Sequence, residues 1–257
     1  MSDYVGVSPE EEAEIIAEYK ARTGPAGQAL LRTLFEQRSI PRGDELFTHG
    51  SDLTTCLRAV AYRRRGVKPE PYSPRELAKF AIGHGYEKEV AQTLRDAGHK
   101  VIHDPKNFVV SAFGIDIIHP DIFVDNAFLV ECKTTDGGAT YPKSDRERAG
   151  QPKEVSTHHA IQAATNALAL KVDRAVVLVK HAGIGDRGHE EVAHDVDPQA
   201  HRALIESLAR EVVELTGPEM PLPPAEPKPQ TIAPYNECDY CRFHLCERNP
   251  RYEQEIP

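Results

Sequence analysis

The chain has 257 residues, 40% of them hydrophobic and 28% charged, enough to bury a substantial core and unlike disordered, collagen-like or membrane-embedded sequences. Acids outnumber lysine and arginine by 40 to 31, a net charge of -9, so the chain lacks a global basic field and any nucleic-acid site must be local or built on bound cations. No apolar run approaches the roughly 20 residues that span a bilayer, and the acidic start MSDYVGVSPEEEAEII has neither the basic flank nor the apolar stretch of a secretory signal. A cytoplasmic protein with no membrane partner is expected. Its five cysteines, Cys56, Cys132, Cys238, Cys241 and Cys246, are an odd number without a signal, which disfavours a disulfide framework and favours metal ligation.

Ser8 with Glu11 is a capping-box pattern opening a helix through EEAEIIAEYKAR, and a second amphipathic helix covers about 26–37. Residues 51–65 (SDLTTCLRAVAYRRR) read as a further helix carrying Cys56, and Ser73-Pro74 with Glu76 starts a long helix through about 97, with His84 midway. From residue 100 the pattern changes to strands: KVIHD, NFVVSAFGIDII, DIFVD and AFLVECKTT, with Asp125-Asn126 as the turn between the last two. The polar stretch 135–155 is long for a passive connection and is read as an active-site loop. A helix over 156–171 follows, whose alanines allow close approach to a sheet, then strands RAVVLVK and HEEVAHDV and a helix over 198–216. This order predicts a mixed α/β fold. GPEMPLPPAEPKPQTIAP, with seven prolines, reads as an extended tether to the last three cysteines. The expected division is an N-terminal helical region over 1–50, a core over 51–217, and a tether with a cysteine cluster over 218–257.

HPDIFVDNAFLVECKTT (119–135) is the most informative segment. On a strand over 127–134 Glu131 and Lys133 share one face, while Val130 and Cys132 occupy the other. The preceding strand brings Asp121 beside Glu131. Two close carboxylates repel unless a cation neutralises them, and oxygen ligands suit Mg²⁺ or Mn²⁺. Such an ion can polarise a phosphodiester and activate water, with Lys133 orienting that water or stabilising the developing negative charge. For a bare ExK triplet an ordinary surface ion pair is the better account, so the order of the surrounding residues has to decide.

That order is His84 on a helix, Asp121, Glu131-Cys132-Lys133, then a helix with His159 and Gln162. In this respect the chain resembles the PD-(D/E)XK nuclease superfamily, specifically its RecB-like branch, whose core is a mixed central sheet flanked by helices. The resemblance implies that His84, Asp121, Glu131 and the Cys132 backbone carbonyl hold the catalytic Mn²⁺ or Mg²⁺. It makes Lys133 the catalytic lysine, with Asp121 and Glu131 acting beside it, and puts Gln162 on DNA phosphate or the metal's water. Where the family's QxxxY helix ends in tyrosine, this chain has Asn166; His159, Gln162 and Asn166 fall on one helical face. Glu87 and Glu89 follow His84 and could serve the site, but a charged solvent face accounts for them as well, and they are left out of it.

Cys238, Cys241 and Cys246 form C-x₂-C-x₄-C, a compact loop for a soft metal with one ligand missing. Cys56 completes a Cys₄ set if the C-terminal segment folds back; His244 inside the loop is the alternative. Cys₄ suits zinc or an iron-sulfur cluster alike. One upstream cysteine and a C-terminal triplet around a RecB-like core resemble the CRISPR-associated RecB-like exonucleases and the iron-sulfur nuclease domains of AddB-type helicase-nucleases. This resemblance, over about 50–248, implies a 4Fe-4S cluster on Cys56, Cys238, Cys241 and Cys246, with a chiefly architectural role. Cys132, on the buried face, is read as a small hydrophobe.

Arg58, Arg63, Arg64 and Arg65 are the most basic part of the chain. Arg58 and Arg64 with His159 and Gln162 are candidates for holding single-stranded DNA, and arginines stabilising a helix C-terminus are the alternative. The expected activity is that of a metal-dependent DNA exonuclease preferring single strands, with a helicase or CRISPR adaptation proteins as possible partners. The competing classes are a non-catalytic DNA-binding or spacer-acquisition adaptor, and a zinc-stabilised or redox-sensing protein.

Overall fold

In the computed structural model the described residues are 46–70, 72, 74–103, 110–135, 155–181, 190–224, 226, 241–243, 246 and 248. The expected helices before residue 46, the loop over 136–154, and Cys238 and His244 lie outside them. In chain order the elements are a 3-10 turn Gly50–Thr54, α1 (Leu57–Arg64), α2 (Pro74–Asp96), β1 (Val101–Ile102), β2 (Val110–Ala112), β3 (Ile115–Ile118), β4 (Ile122–Val124), β5 (Phe128–Thr135), α3 (Thr157–Ala169), β6 (Ala175–His181), β7 (Glu190–Val196) and α4 (Pro198–Leu215).

The mixed central sheet flanked by helices is present. Its strand order is β1-β4-β5-β6-β7. β4 and β5 are antiparallel, β5 and β6 parallel, and β6 and β7 antiparallel. The parallel pair requires a crossover, and α3 supplies it. Ser156 caps α3 by accepting from the His159 amide, and Asp197 caps α4 by accepting from the Gln199 and Ala200 amides. Val124 and Ala127 close the β4–β5 turn, in which Asp125 and Asn126 both have φ of 54°. This left-handed pair matches the right-handed twist of the flanking strands, and Asp and Asn tolerate it.

The core has two parts. Val130, Cys132, Ile122 and Val124 pack under Tyr86 and Ala91 of α2. On the opposite sheet face Leu129, Val177, Val179 and Val196 pack against Ala160, Ala163, Ala164 and Ala167 of α3 and Ile205, Leu208 and Val212 of α4. The four alanines bring α3 close to the sheet, as their small size predicts. No helix among the described residues is long and apolar enough to cross a membrane.

Two expectations are corrected. NFVVSAFGIDII is not one strand: Phe113 and Gly114, at φ of 58° and 78°, turn the chain back so that β2 pairs with β3 in a separate two-stranded sheet. Residues 51–65 are not one helix either, because the extended backbone of Thr55 (φ -100°, ψ 150°) separates the 3-10 turn from α1 and leaves Cys56 at the N-cap. Buried Asp52 in that turn accepts two bonds from the Arg63 guanidinium across the break.

Candidate active site

Register places the site. Ile122 pairs with Val130 and Val124 with Phe128, so one step further Asp121 stands opposite Glu131. The Asp121 carboxylate also accepts from the Cys132 amide at 2.9 Å, which fixes it against β5 just before β4 begins. Glu131 is 0% exposed. Its Oε1 accepts from Lys133 Nζ at 2.6 Å and its Oε2 from Asn166 Nδ2 at 3.0 Å. Alternation along β5 puts Glu131 and Lys133 on the α3 side and Cys132 among apolar side chains under α2, as the sequence pattern predicts.

A fully buried carboxylate beside a second one is electrostatically expensive. Burial and then the Asp121 charge raise the Glu131 pKa well above the carboxylate range, although Lys133 pulls it down. Burial alone would lower the Lys133 pKa, but the Glu131 and Asp121 charges overcome it and hold the ammonium protonated. His158 and His159, at the start of α3, are pushed down to about 4 and about 3, first by burial and then by the Lys133 charge. At neutral pH they are therefore neutral imidazoles near a permanent cation, able to accept or donate one hydrogen bond each.

The donor set fits a hard dication in part. Asp121 and Glu131 supply two carboxylates whose repulsion such a cation would relieve. His84 comes from the helix on the other sheet face and is exposed. A Cβ on Gly83 would meet Thr134 Oγ1 at 3.8 Å, so α2 passes the C-terminal end of β5, but His84 does not join the two acids in a metal-holding group. Among the described residues no three His, Cys, Asp or Glu side chains form a metal-holding group.

Other predicted residues fall as follows. Gln162 is half-buried on α3, and Asn166, 2% exposed, points inward, with its amide also donating to the His119 carbonyl at 3.4 Å. Arg58 Nε donates to the Pro223 carbonyl at 2.7 Å and Arg64 Nη1 to Thr216 Oγ1 at 3.0 Å; Arg65 bonds the Met220 carbonyl. These arginines tie α1 to the start of the tether. Cys241 and buried Cys246 pack with Phe243 against Ala59, Tyr62 and Val67, which brings the cysteine loop to the helix that Cys56 caps.

Sequence reasoning set aside Glu87, yet its charge acts on both Cys132 and Lys133, while Glu89 pairs with Lys180 at 3.0 Å. Spacing from His84 could have flagged Glu87 one turn along, because i and i+3 share a helix face. The bond from Asn166 to Glu131 had no local signal.

No family model and no curated protein matches the chain. Among solved structures, the crystal structure of SSO0001 is similar with a TM-score of 0.54 at 17% identity, covering 88% of this chain and 98% of that one. The crystal structure of an alkaline exonuclease (LHK-Exo) from Laribacter hongkongensis gives 0.46 at 16% identity, covering 71% of this chain and 91% of that one. At 17% identity the likeness to SSO0001 is one of fold.

Proposed function

We propose that the chain is a metal-dependent DNA exonuclease acting on single strands or single-stranded ends, with a structural 4Fe-4S cluster. The observation that carries this reading is the wholly buried Glu131, held between Lys133 and Asn166 with Asp121 opposite. A fold gains little from burying a carboxylate beside a second one, since apolar side chains there are often as stable, whereas metal-dependent hydrolysis of a phosphodiester uses paired carboxylates to hold the ion. Mn²⁺ or Mg²⁺ would be held by Asp121, Glu131 and the Cys132 carbonyl, with His84 drawn in, and would supply Lewis-acid polarisation of the phosphate. Lys133 then stands beside the reacting phosphate as a fixed cation for the charge that develops there. Neutral His158 and His159 line its flank without adding a repelling charge.

The cluster would be held by Cys56, Cys238, Cys241 and Cys246. The packing of Cys241 and Cys246 against α1 supports it, and its chief effect would be to tie residues 218–257 to a nuclease core over 51–217. Such a closure, of very long sequence separation, restricts the unfolded chain strongly.

End-labelled single-stranded and duplex DNA, incubated with Mn²⁺, Mg²⁺ or EDTA, tests the reading with wild type and Glu131→Ala purified anaerobically to equal iron content. The expected result is metal-dependent cleavage by the wild type alone, from proteins with broad absorption near roughly 400 nm. Cys241→Ala is expected to lose that absorption and folded yield. No cleavage by iron-replete wild type on any substrate would replace this reading with a DNA-binding adaptor.

A further inference from the structure

Away from the acid pair, the surface carries an aromatic stack that the proposed chemistry does not use. Tyr72 and Phe80 are 37% and 39% exposed, and their rings meet edge to face with centroids 4.8 Å apart and planes at 87°. The Arg242 guanidinium lies over the Tyr72 ring, its Cζ 3.5 Å from the centroid. Arg242 comes from the cysteine loop, between Cys241 and Phe243, and is held by a two-way bond with Glu70: the Glu70 amide donates to the Arg242 carbonyl at 2.9 Å, and Arg242 Nε donates to the Glu70 carbonyl. The next residue, Phe243, packs on Tyr62 with centroids 5.6 Å apart. Two chain segments about 170 residues apart are therefore anchored so as to present two rings and a cation at the surface.

Burial does not explain the arrangement, since both residues keep over a third of their surface in water. Nor does an ion pair: among the described residues Arg242 has no carboxylate partner. Half-exposed aromatic residues beside a guanidinium with no carboxylate partner among the described residues match an unpaired nucleotide, whose base offers a π-face and whose phosphate offers a negative charge. A duplex offers the phosphate but keeps its base faces stacked internally.

We infer that Tyr72, Phe80 and Arg242 form a stacking platform for an unpaired base of single-stranded nucleic acid. The choice of nucleic acid as ligand rests on the nuclease reading, but the platform is tested by binding and not by cleavage. The probe is a labelled oligothymidylate, compared with a blunt duplex of the same length, titrated by anisotropy without divalent metal.

Tyr72→Ala/Phe80→Ala is expected to weaken single-strand binding roughly 5- to 150-fold, the span for loss of one stacked base, with duplex binding unchanged. Tyr72→Phe/Phe80→Tyr keeps the π-faces and should bind as the wild type does. Tyr72→Leu/Phe80→Leu, which retains the apolar packing, should bind as weakly as the double alanine variant. It serves as the test if the alanine variant does not fold. Because the chain contains no tryptophan, Tyr72→Trp introduces a single indole, whose fluorescence should be quenched by the oligothymidylate and not by the duplex.

Single-strand affinity unchanged by the leucine pair, or a wild type that does not bind the oligothymidylate, would overturn the platform. Cleavage that fails while aromatic-dependent binding persists would overturn the nuclease reading and leave the platform standing.

Discussion

Asp121→Asn should stabilise the metal-free protein while removing its metal-dependent cleavage. The Asp121 carboxylate does two things: it accepts the Cys132 amide at 2.9 Å and sets a negative charge against wholly buried Glu131. An amide keeps the first interaction through its carbonyl oxygen. Its NH₂ replaces the second, a repulsion, with a donor facing Glu131. The expected gain is about 0.5–2 kcal/mol, the range typical when a functional compromise is relaxed.

The pH dependence has a definite sign. Burial and Asp121 raise the Glu131 pKa above its ordinary 4.5, so between that value and the raised one the folded state binds the proton that the unfolded state has lost. Stability falls as pH rises through this window. Removing Asp121's charge lessens the shift, so the stability gain of Asp121→Asn should be small below pH 4.5 and grow toward neutrality. Mn²⁺ should raise the melting temperature of the wild type, by mass action on the folded state, and that of the variant much less. Cleavage should fall by roughly 10²- to 10³-fold or more, the scale on which fixed electrostatic groups act. Thermal melts across pH with and without Mn²⁺, together with cleavage rates, check this. A destabilised Asp121→Asn would refute the account of repulsion, and retained cleavage would remove Asp121 from the site.

Local features were legible in the sequence. Ser73-Pro74 with Glu76 marked the start of α2, and Asp125-Asn126 marked the turn where two successive residues take positive φ. Alternation along β5 separated Glu131 and Lys133 from Cys132 because the strand period is two. The hairpin turn at Phe113-Gly114 could have been read from its glycine, but the apolar run around it looked like one strand.

Long-range polar partners were not legible. For the arginines of α1 the sequence left phosphate binding and stabilisation of a helix C-terminus both open, and their partners at Thr216, Met220 and Pro223 are over 150 residues away. Periodicity reports which face of an element is apolar and says nothing about which distant carbonyl a guanidinium will reach. Asn166 is the sharpest case: its helix phase was readable, but its bond to a strand residue 35 positions earlier depends on how closely the alanines of α3 let the helix approach the sheet.

Asn166→Ala should therefore slow the chemistry without loosening the substrate. The Asn166 amide donates to Glu131 Oε2 at 3.0 Å, and both side chains are buried. Removing it leaves a buried acceptor unpaired, at a cost of about 1–3 kcal/mol, and frees Glu131 to turn toward Lys133 alone. Groups that orient a ligand carboxylate are typically worth roughly 10- to 100-fold in metal affinity or activity. The loss should appear in kcat at saturating Mn²⁺, with KM for DNA unchanged, because at 2% exposure Asn166 has no surface to offer a strand. Asn166→Asp should be worse than alanine at neutral pH, since it adds a third carboxyl beside two that already repel. Asn166→Tyr, which restores the aromatic of the resembled family, keeps a hydroxyl donor but overfills the space under β5. It should cost about 1–3 kcal/mol in stability while retaining more kcat than alanine. If Asn166→Ala instead raised KM and left kcat intact, the residue would be gripping DNA from α3, and Glu131 would owe its orientation to Lys133 alone.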